Sequence, residues 1–130
     1  MLPGFTAPKL LWMREHEPEA LARITTVLLP KDWIRFRLTG ELVTDVSDAS
    51  GTAVFDCAQR RWSDALLADL KLPRSWWPEA AESSEVVGQV SAQAAVLSGL
   101  KEGTPVVAGA GDQAAAALGC GLVHEGSAGA

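Results

Sequence analysis

One carboxylate in this chain stands where a reacting group would stand. Val106-Val107-Ala108-Gly109-Ala110-Gly111-Asp112-Gln113-Ala114 reads as an apolar strand, a glycine-hinged turn and a small-residue helix running from Ala114 to Leu118, with Thr104-Pro105 punctuating its entry. The unbroken Val-Val-Ala run predicts a strand buried on both faces. Gly109 and Gly111 permit a sharp turn and the close approach of another group to the backbone. Three chemistries fit this segment. Asp112 could accept a proton from a substrate hydroxyl, with Gln113 hydrogen-bonding the same substrate and the positive end of the helix alongside. Asp112 could equally be an N-cap with no chemistry at all. Finally, Gly109 to Ala114 formally fits G-x-G-x-x-A, a dinucleotide fingerprint. That fit is the weakest, because Asp112 would oppose a pyrophosphate at the helix start, and the ribose-binding acid expected about 20 residues on would fall beyond Ala130. Between cap and base the local residues do not choose.

Other reactive residues form no obvious constellation. Asp45 and Asp48 lie three apart in Thr44-Asp45-Val46-Ser47-Asp48-Ala49-Ser50-Gly51; they could bind a cation, but with no third acid nearby and several hydroxyls to satisfy, capping is the favoured role. Cys57 and Cys120 are far apart, without metal-ligand spacing and unclustered with His16 and His124, so no metal site is expected and both cysteines read as small, reduced, partly buried residues. The net charge of −5, with no basic run longer than Arg60-Arg61, argues against nucleic acid as a partner and for a small polar or neutral ligand. No apolar run approaches the roughly 18 residues of a membrane span. Met1-Leu2-Pro3-Gly4 has neither the basic nor the apolar region of a signal peptide, so a cytoplasmic protein without membrane contact is expected.

The elements that must position Asp112 follow from caps and breakers. Thr6 is an N-cap candidate for a helix ending near Glu15; Pro18 starts a second that continues through Ile24; a third follows Pro30, carries Trp33, Ile34, Phe36 and Leu38, and stops at Gly40. Residues 43–51 are dense in turn formers and predict a loop or very short helix. Ala53-Val54-Phe55 reads as a brief strand, and Ser63 caps a helix from Asp64 to Leu70 with Leu66, Leu67 and Leu70 inward. Pro73 and Pro78 bracket Trp76-Trp77. Five Trp without any Tyr favour filler over a stacking platform, with Trp33, Trp76 and Trp77 candidates for exposed apolar surface. Val86 to Val90 is a strand, and Ser91 caps a helix through Leu97 that Gly99 ends. The fold expected is α/β, with a helix-rich first half and a β-α-β-α last third. At 130 residues and 48% hydrophobic it is one domain or part of one. The tract Gly126-Ser127-Ala128-Gly129-Ala130 is expected to be flexible and to stop where a further strand could begin.

Four segments in order then carry a resemblance: Pro3-Gly4-Phe5-Thr6-Ala7-Pro8-Lys9-Leu10-Leu11-Trp12; Leu29-Pro30-Lys31-Asp32-Trp33 with Leu38-Thr39-Gly40-Glu41; Thr44-Asp45-Val46-Ser47-Asp48-Ala49-Ser50-Gly51-Thr52; and Gly109-Ala110-Gly111-Asp112-Gln113. Together they resemble the successive signatures of the FGGY-type carbohydrate kinases, most nearly the bacterial xylulokinase branch, over essentially all 130 residues.

The resemblance implies part of a ribonuclease H-like, actin-like ATPase domain: residues 1–130 as the later part of the sugar-binding N-terminal domain, with the ATP-binding domain outside them. It implies phosphoryl transfer from ATP with Mg²⁺ to the C5 hydroxyl of D-xylulose, Asp112 as general base and Gln113 as a substrate-binding amide. No nucleotide or metal ligand falls within these residues, so the 130-residue stretch alone is expected to be inactive, and the longer enzyme admits a homodimer. Gly4 agrees with the xylulokinases better than with the glycerol kinases. Gln113 departs from the Asn common in xylulokinases, keeping the amide but moving it outward, which leaves ribulose, glycerol or gluconate as alternative substrates and a structural module with Asp112 as cap as the non-catalytic alternative.

Overall fold

A computed structural model describes residues 4–124 and 126. Pro3 of the first signature and residues 127–130 of the terminal tract lie outside the described residues. The order is α1 (Thr6–His16), α2 (Pro18–Leu21), α3 (Pro30–Thr39), β1 (Val43–Asp45), α4 (Val46–Ala49), β2 (Phe55–Asp56), β3 (Arg61–Trp62), α5 (Asp64–Asp69), β4 (Glu79–Ala81), β5 (Val86–Gln89), α6 (Ala92–Ser98), β6 (Pro105–Val107) and α7 (Asp112–Gly119). Short 3₁₀ turns occupy Ser50–Thr52 and Arg74–Trp76. This is an α/β chain with the helix-rich first half and the β-α-β-α last third that the sequence predicts.

Local chemistry explains most boundaries. Ser63 Oγ accepts the Leu66 N–H to start α5, and Ser91 Oγ accepts the Ala94 N–H to start α6. Gly40 and Gly99 end α3 and α6 in the left-handed conformation. Elsewhere the structure corrects the reading. Phe5, not Thr6, occupies the cap position of α1, and Thr6 is already helical. The second helix closes after one turn at Leu21; only Leu21 and Ile24 of this stretch pack against the core, too little burial to hold a longer helix. Residues 43–45 form a strand rather than a loop, pairing parallel with β4 in the register Val43↔Glu79, Thr44↔Ala80 and Asp45↔Ala81. Val43 and Thr44 favour a strand but are only two residues among turn formers, and Glu79-Ala80-Ala81 has no strand-favouring residue at all.

The core gathers Ala7 and Leu10 of α1 with Ala49, Val54, Phe55, Trp62, Leu67, Leu72 and Trp77. The antiparallel β2–β3 pair sets Phe55 opposite Trp62, edge-on with centroids 5.2 Å apart, and Trp62 lies 4.8 Å from Trp77. The filler reading of the tryptophans holds for these two. Trp77 is therefore buried rather than exposed, because the 3₁₀ turn after Pro73 swings it inward. Trp33 does lie exposed, beneath the Arg37 guanidinium at 5.2 Å. Leu66 is 41% exposed: on so short a helix one narrow stripe, Leu67 with Leu70, reaches the core, and Leu66 lies about 100° around the axis.

The last third is built differently. Among the described residues β6 pairs antiparallel with β5 alone, and it is not buried on both faces: Pro105 and Val107 are exposed, Val107 by 45%. Cys57 and Cys120 are free, as expected, but exposed rather than partly buried, at a turn and at the end of α7. The packing makes Leu67, 2% exposed, the most informative core position: Leu67→Ala should cost about 2–4 kcal/mol in urea unfolding, and a loss below about 1 kcal/mol would remove it from the core.

Candidate functional site

The face that α3 turns inward is charged. Asp32 and Arg35 are its buried residues, while Trp33 and Ile34 point outward. Lys31, Asp32 and Arg35 lie at i, i+1 and i+4, which brings Lys31 and Arg35 to one side of the helix. The Lys31 ammonium approaches Asp32 Oδ1 at 2.5 Å, Asp45 Oδ1 at 2.8 Å and Asp48 Oδ2 at 3.5 Å. Arg35 Nη2 adds a contact to Asp32 Oδ1 at 3.1 Å. Its guanidinium also donates to the carbonyls of Ala108 and Val43, tying α3 to both β1 and the glycine turn.

Asp45 is fully buried and its Oδ2 is saturated. It accepts from the Ser47 N–H at 2.8 Å, Ser47 Oγ at 2.5 Å, the Asp48 N–H at 3.4 Å and Ser83 Oγ at 3.0 Å. Two of these are the capping contacts of α4, so Asp45 has the role favoured from sequence, with a lysine as counter-ion as well. Burial pushes this carboxyl up, but the hydrogen bonds from Lys31 and Ser47, with the Lys31 charge, hold it below its ordinary range. Burial likewise opposes the Lys31 ammonium, yet its bonds to Asp32 and Asp45 leave its pKa raised. Asp48 goes the other way: burial raises it, Lys31 pulls against that, and the charges of Asp32 and Asp45 add to the rise.

The turn carrying Asp112 rests on this cluster. The Ala108 N–H donates to Glu85 C=O at 2.9 Å, the Gly109 N–H to Ser83 C=O at 3.0 Å, and the Gly111 N–H to Ser47 Oγ at 3.0 Å. Gly109 has φ +83°, a left-handed value that favours glycine, and an added Cβ would stand 3.6 Å from Lys31 Cδ. A Cβ at Gly111 would stand 3.4 Å from Asp48 Cα. What approaches the two glycines, then, is the chain's own Lys31 and Asp48.

Gly111 takes the cap position and Asp112 is the first helical residue, its Oδ1 accepting the Gln113 N–H at 2.7 Å. Asp112 is exposed and lines a cavity of about 330 Å³ with Pro30, Lys31, Asp48 and Ala110. Gln113, also exposed, does not line it. Lys31, Arg35, Ser47 and Ser83 escape sequence reasoning: the spacing on α3 was a usable signal, whereas two serines look like any caps. Among the described residues no group of three or more His, Cys, Asp or Glu could hold a metal ion, and Lys31 closes the acidic cluster, so these side chains do not fit Mg²⁺. No helix among them is long and apolar enough to cross a membrane.

The FGGY family of carbohydrate kinases, N-terminal domain, matches residues 1–119. The chain belongs to that family. It is 50% identical over 123 residues to the xylulose kinase of Escherichia coli (strain K12), covering 95% of this chain and 25% of the relative. The xylulose kinase of Klebsiella pneumoniae is 47% identical over 128 residues, covering 98% and 26%. The crystal structure of the xylulose kinase from Rhodospirillum rubrum superposes with a TM-score of 0.91 at 37% identity, covering 96% of this chain and 26% of that one. The chain thus spans about a quarter of the length of these kinases, and its fold is the ribonuclease H-like α/β fold of the sugar kinases.

The ion cluster makes stability pH-dependent in this family member. Asp45, lowered in the fold, stabilises fully above the ordinary carboxylate range and loses that as pH falls below about 4. Lys31, raised, stabilises below the ordinary ammonium value and loses it as pH rises beyond about 10.4. Asp48, a raised carboxyl, costs stability when ionised and is relieved on acidification. Asp45→Asn should cost about 3 kcal/mol at neutral pH and flatten the acid limb of urea midpoints against pH. Asp48→Asn should be neutral or stabilising at pH 7, and a large destabilisation there would contradict the assigned direction.

Proposed function

We propose that these residues are the later part of the sugar-binding domain of a cytoplasmic, ATP-dependent kinase that phosphorylates the C5 hydroxyl of D-xylulose, with Asp112 as general base. The observation that carries the reading is the placement of Asp112: a carboxylate on a turn held by four hydrogen bonds, opening onto a cavity, in a chain related to xylulose kinases. In the reaction the C5 oxygen attacks the γ-phosphorus of ATP, its proton passes to Asp112, and ADP leaves as D-xylulose 5-phosphate forms. Positioning contributes most of the acceleration in such transfers, the base assisting as the alcohol loses its proton. ATP and Mg²⁺ are assigned to parts of the enzyme beyond these residues, and Gln113 to a sugar contact outside the cavity described.

Charge supports a neutral ketose or polyol over gluconate. Among the described residues Lys31 is the one cation lining the cavity, and carboxylates engage it on three sides while Asp112 adds a further negative group. A sugar carboxylate would meet repulsion there without a free partner. Ribulose and glycerol are not distinguished by this argument.

Asp112→Asn in the full-length kinase should leave the fold intact and reduce sugar-dependent ATP turnover by at least about a hundredfold, read by coupled ADP release over a panel of ketoses, polyols and gluconate. Near wild-type turnover would return Asp112 to a structural role, and preference for gluconate would overturn the charge argument.

A further inference from the structure

We propose that Ser47 is a positioning residue for Asp112, its hydroxyl joining the buried Asp45 carboxylate, paired with Lys31, to the Gly111 backbone and so fixing where the acid stands. The inference rests on the reading of Asp112 as base. Ser47 Oγ has one proton and two lone pairs, and both functions are used. It donates to Asp45 Oδ2 at 2.5 Å and accepts the Gly111 N–H at 3.0 Å, across 64 residues of sequence. The direction is forced. An ionised Asp45 offers no proton, so the hydroxyl hydrogen goes to it and a lone pair is left for Gly111.

A capping role for Ser47 within its own helix does not account for this arrangement. Asp45 already caps α4, through the Ser47 and Asp48 amides, and α4 would form without any bond to Gly111. What the second bond fixes is the residue immediately before Asp112, at the first turn of α7. Gly111 also packs against Asp48, where an added Cβ would stand 3.4 Å from Asp48 Cα. Asp45 in turn is held from its far oxygen by Lys31, at 2.8 Å, and from its near oxygen by Ser83, at 3.0 Å. Arg35 and Ser83 hold the turn further back, at Ala108 and Gly109; Ser47 is the side chain that bonds the residue adjoining the exposed acid. No buried residue of α7 offers an alternative anchor. Displacement of a reacting group by about 1 Å is enough to cost orders of magnitude in rate.

The test uses the full-length kinase and two readouts, kcat against KM for D-xylulose and ATP, and hydrogen exchange of the Gly111 amide. Ser47→Ala should lower kcat about tenfold or more with KM for ATP unchanged, and speed exchange at Gly111. Ser47→Thr, which keeps the hydroxyl, should preserve both. Wild-type kcat in Ser47→Ala overturns the proposal, as does a kcat loss with Gly111 exchange unchanged. So does a Ser47→Thr enzyme that keeps Gly111 protection yet loses kcat. Asp112→Asn, run alongside, separates the two ideas: full turnover there sinks the base assignment whatever Ser47 does, and unchanged Gly111 exchange in Ser47→Ala sinks the positioning role whatever Asp112 does.

Discussion

The Lys31 ammonium, held between the buried carboxylates of Asp32 and Asp45, is the contact on which the rest of the site depends. Each of those acids is tied to a different element, Asp32 to α3 and Asp45 to the junction of β1 and α4. The ion pairs therefore bolt the helix to the strand where neither has much apolar surface to offer. Burying two carboxylates is costly unless each is paired and hydrogen-bonded. Here Asp45 receives four hydrogen bonds besides its ion pair. The arrangement tolerates little variation, because loss of one member leaves an uncompensated charge in the interior.

Arg35 extends the same logic to the turn. Its guanidinium reaches Ala108 and Val43 with two donors in a fixed plane, so the spacing between β1 and the end of β6 is set by one rigid group. Ser83 works from the other side, donating its hydroxyl to Asp45 and accepting the Gly109 N–H at its carbonyl. Of the two glycines, Gly109 is required by its left-handed backbone, and both lie in contact with this cluster, Gly109 beside Lys31 and Gly111 beside Asp48.

What the sequence disclosed follows from which forces are local. Ser63, Ser91, Gly40 and Gly99 mark helix ends because the atoms that cap them are a few residues away. The glycine turn and its acid are legible for the same reason, and the four ordered signatures identify the family that the matched profile bears out. β1 and β4 were hidden because their stability lies in each other, 36 residues apart at Val43↔Glu79, and Glu79-Ala80-Ala81 carries no strand propensity. The inward face of α3 was hidden for a related reason. A helix with Trp33 and Ile34 exposed and Asp32 and Arg35 buried inverts the usual amphipathic rule, and only the partners supplied by β1, α4 and the turn make that inversion affordable. Ser47 and Ser83 left no trace because a serine that bonds across the fold has the same neighbours in sequence as one that caps a turn.

The distribution of burial explains why polar contacts carry so much of the positioning. The main core is drawn from residues 7 to 77, whereas among the described residues after it only Val90, Ala94 and Ala108 are buried. Helix α7 has no buried residue at all, and Leu118 is exposed upon it. Packing usually fixes a side chain to within a fraction of an ångström because cores are dense and unyielding. Asp112 has no such support on its own helix. Its position is fixed by bonds to the turn before it, each reaching back to α3, α4 or the segment around Ser83. Hydrogen bonds contribute less to stability than burial does, about 1 kcal/mol each, but they are directional, and direction is what an exposed side chain without packing needs to be held in place. A site built this way can leave its acid open to the cavity while the backbone beneath it stays fixed.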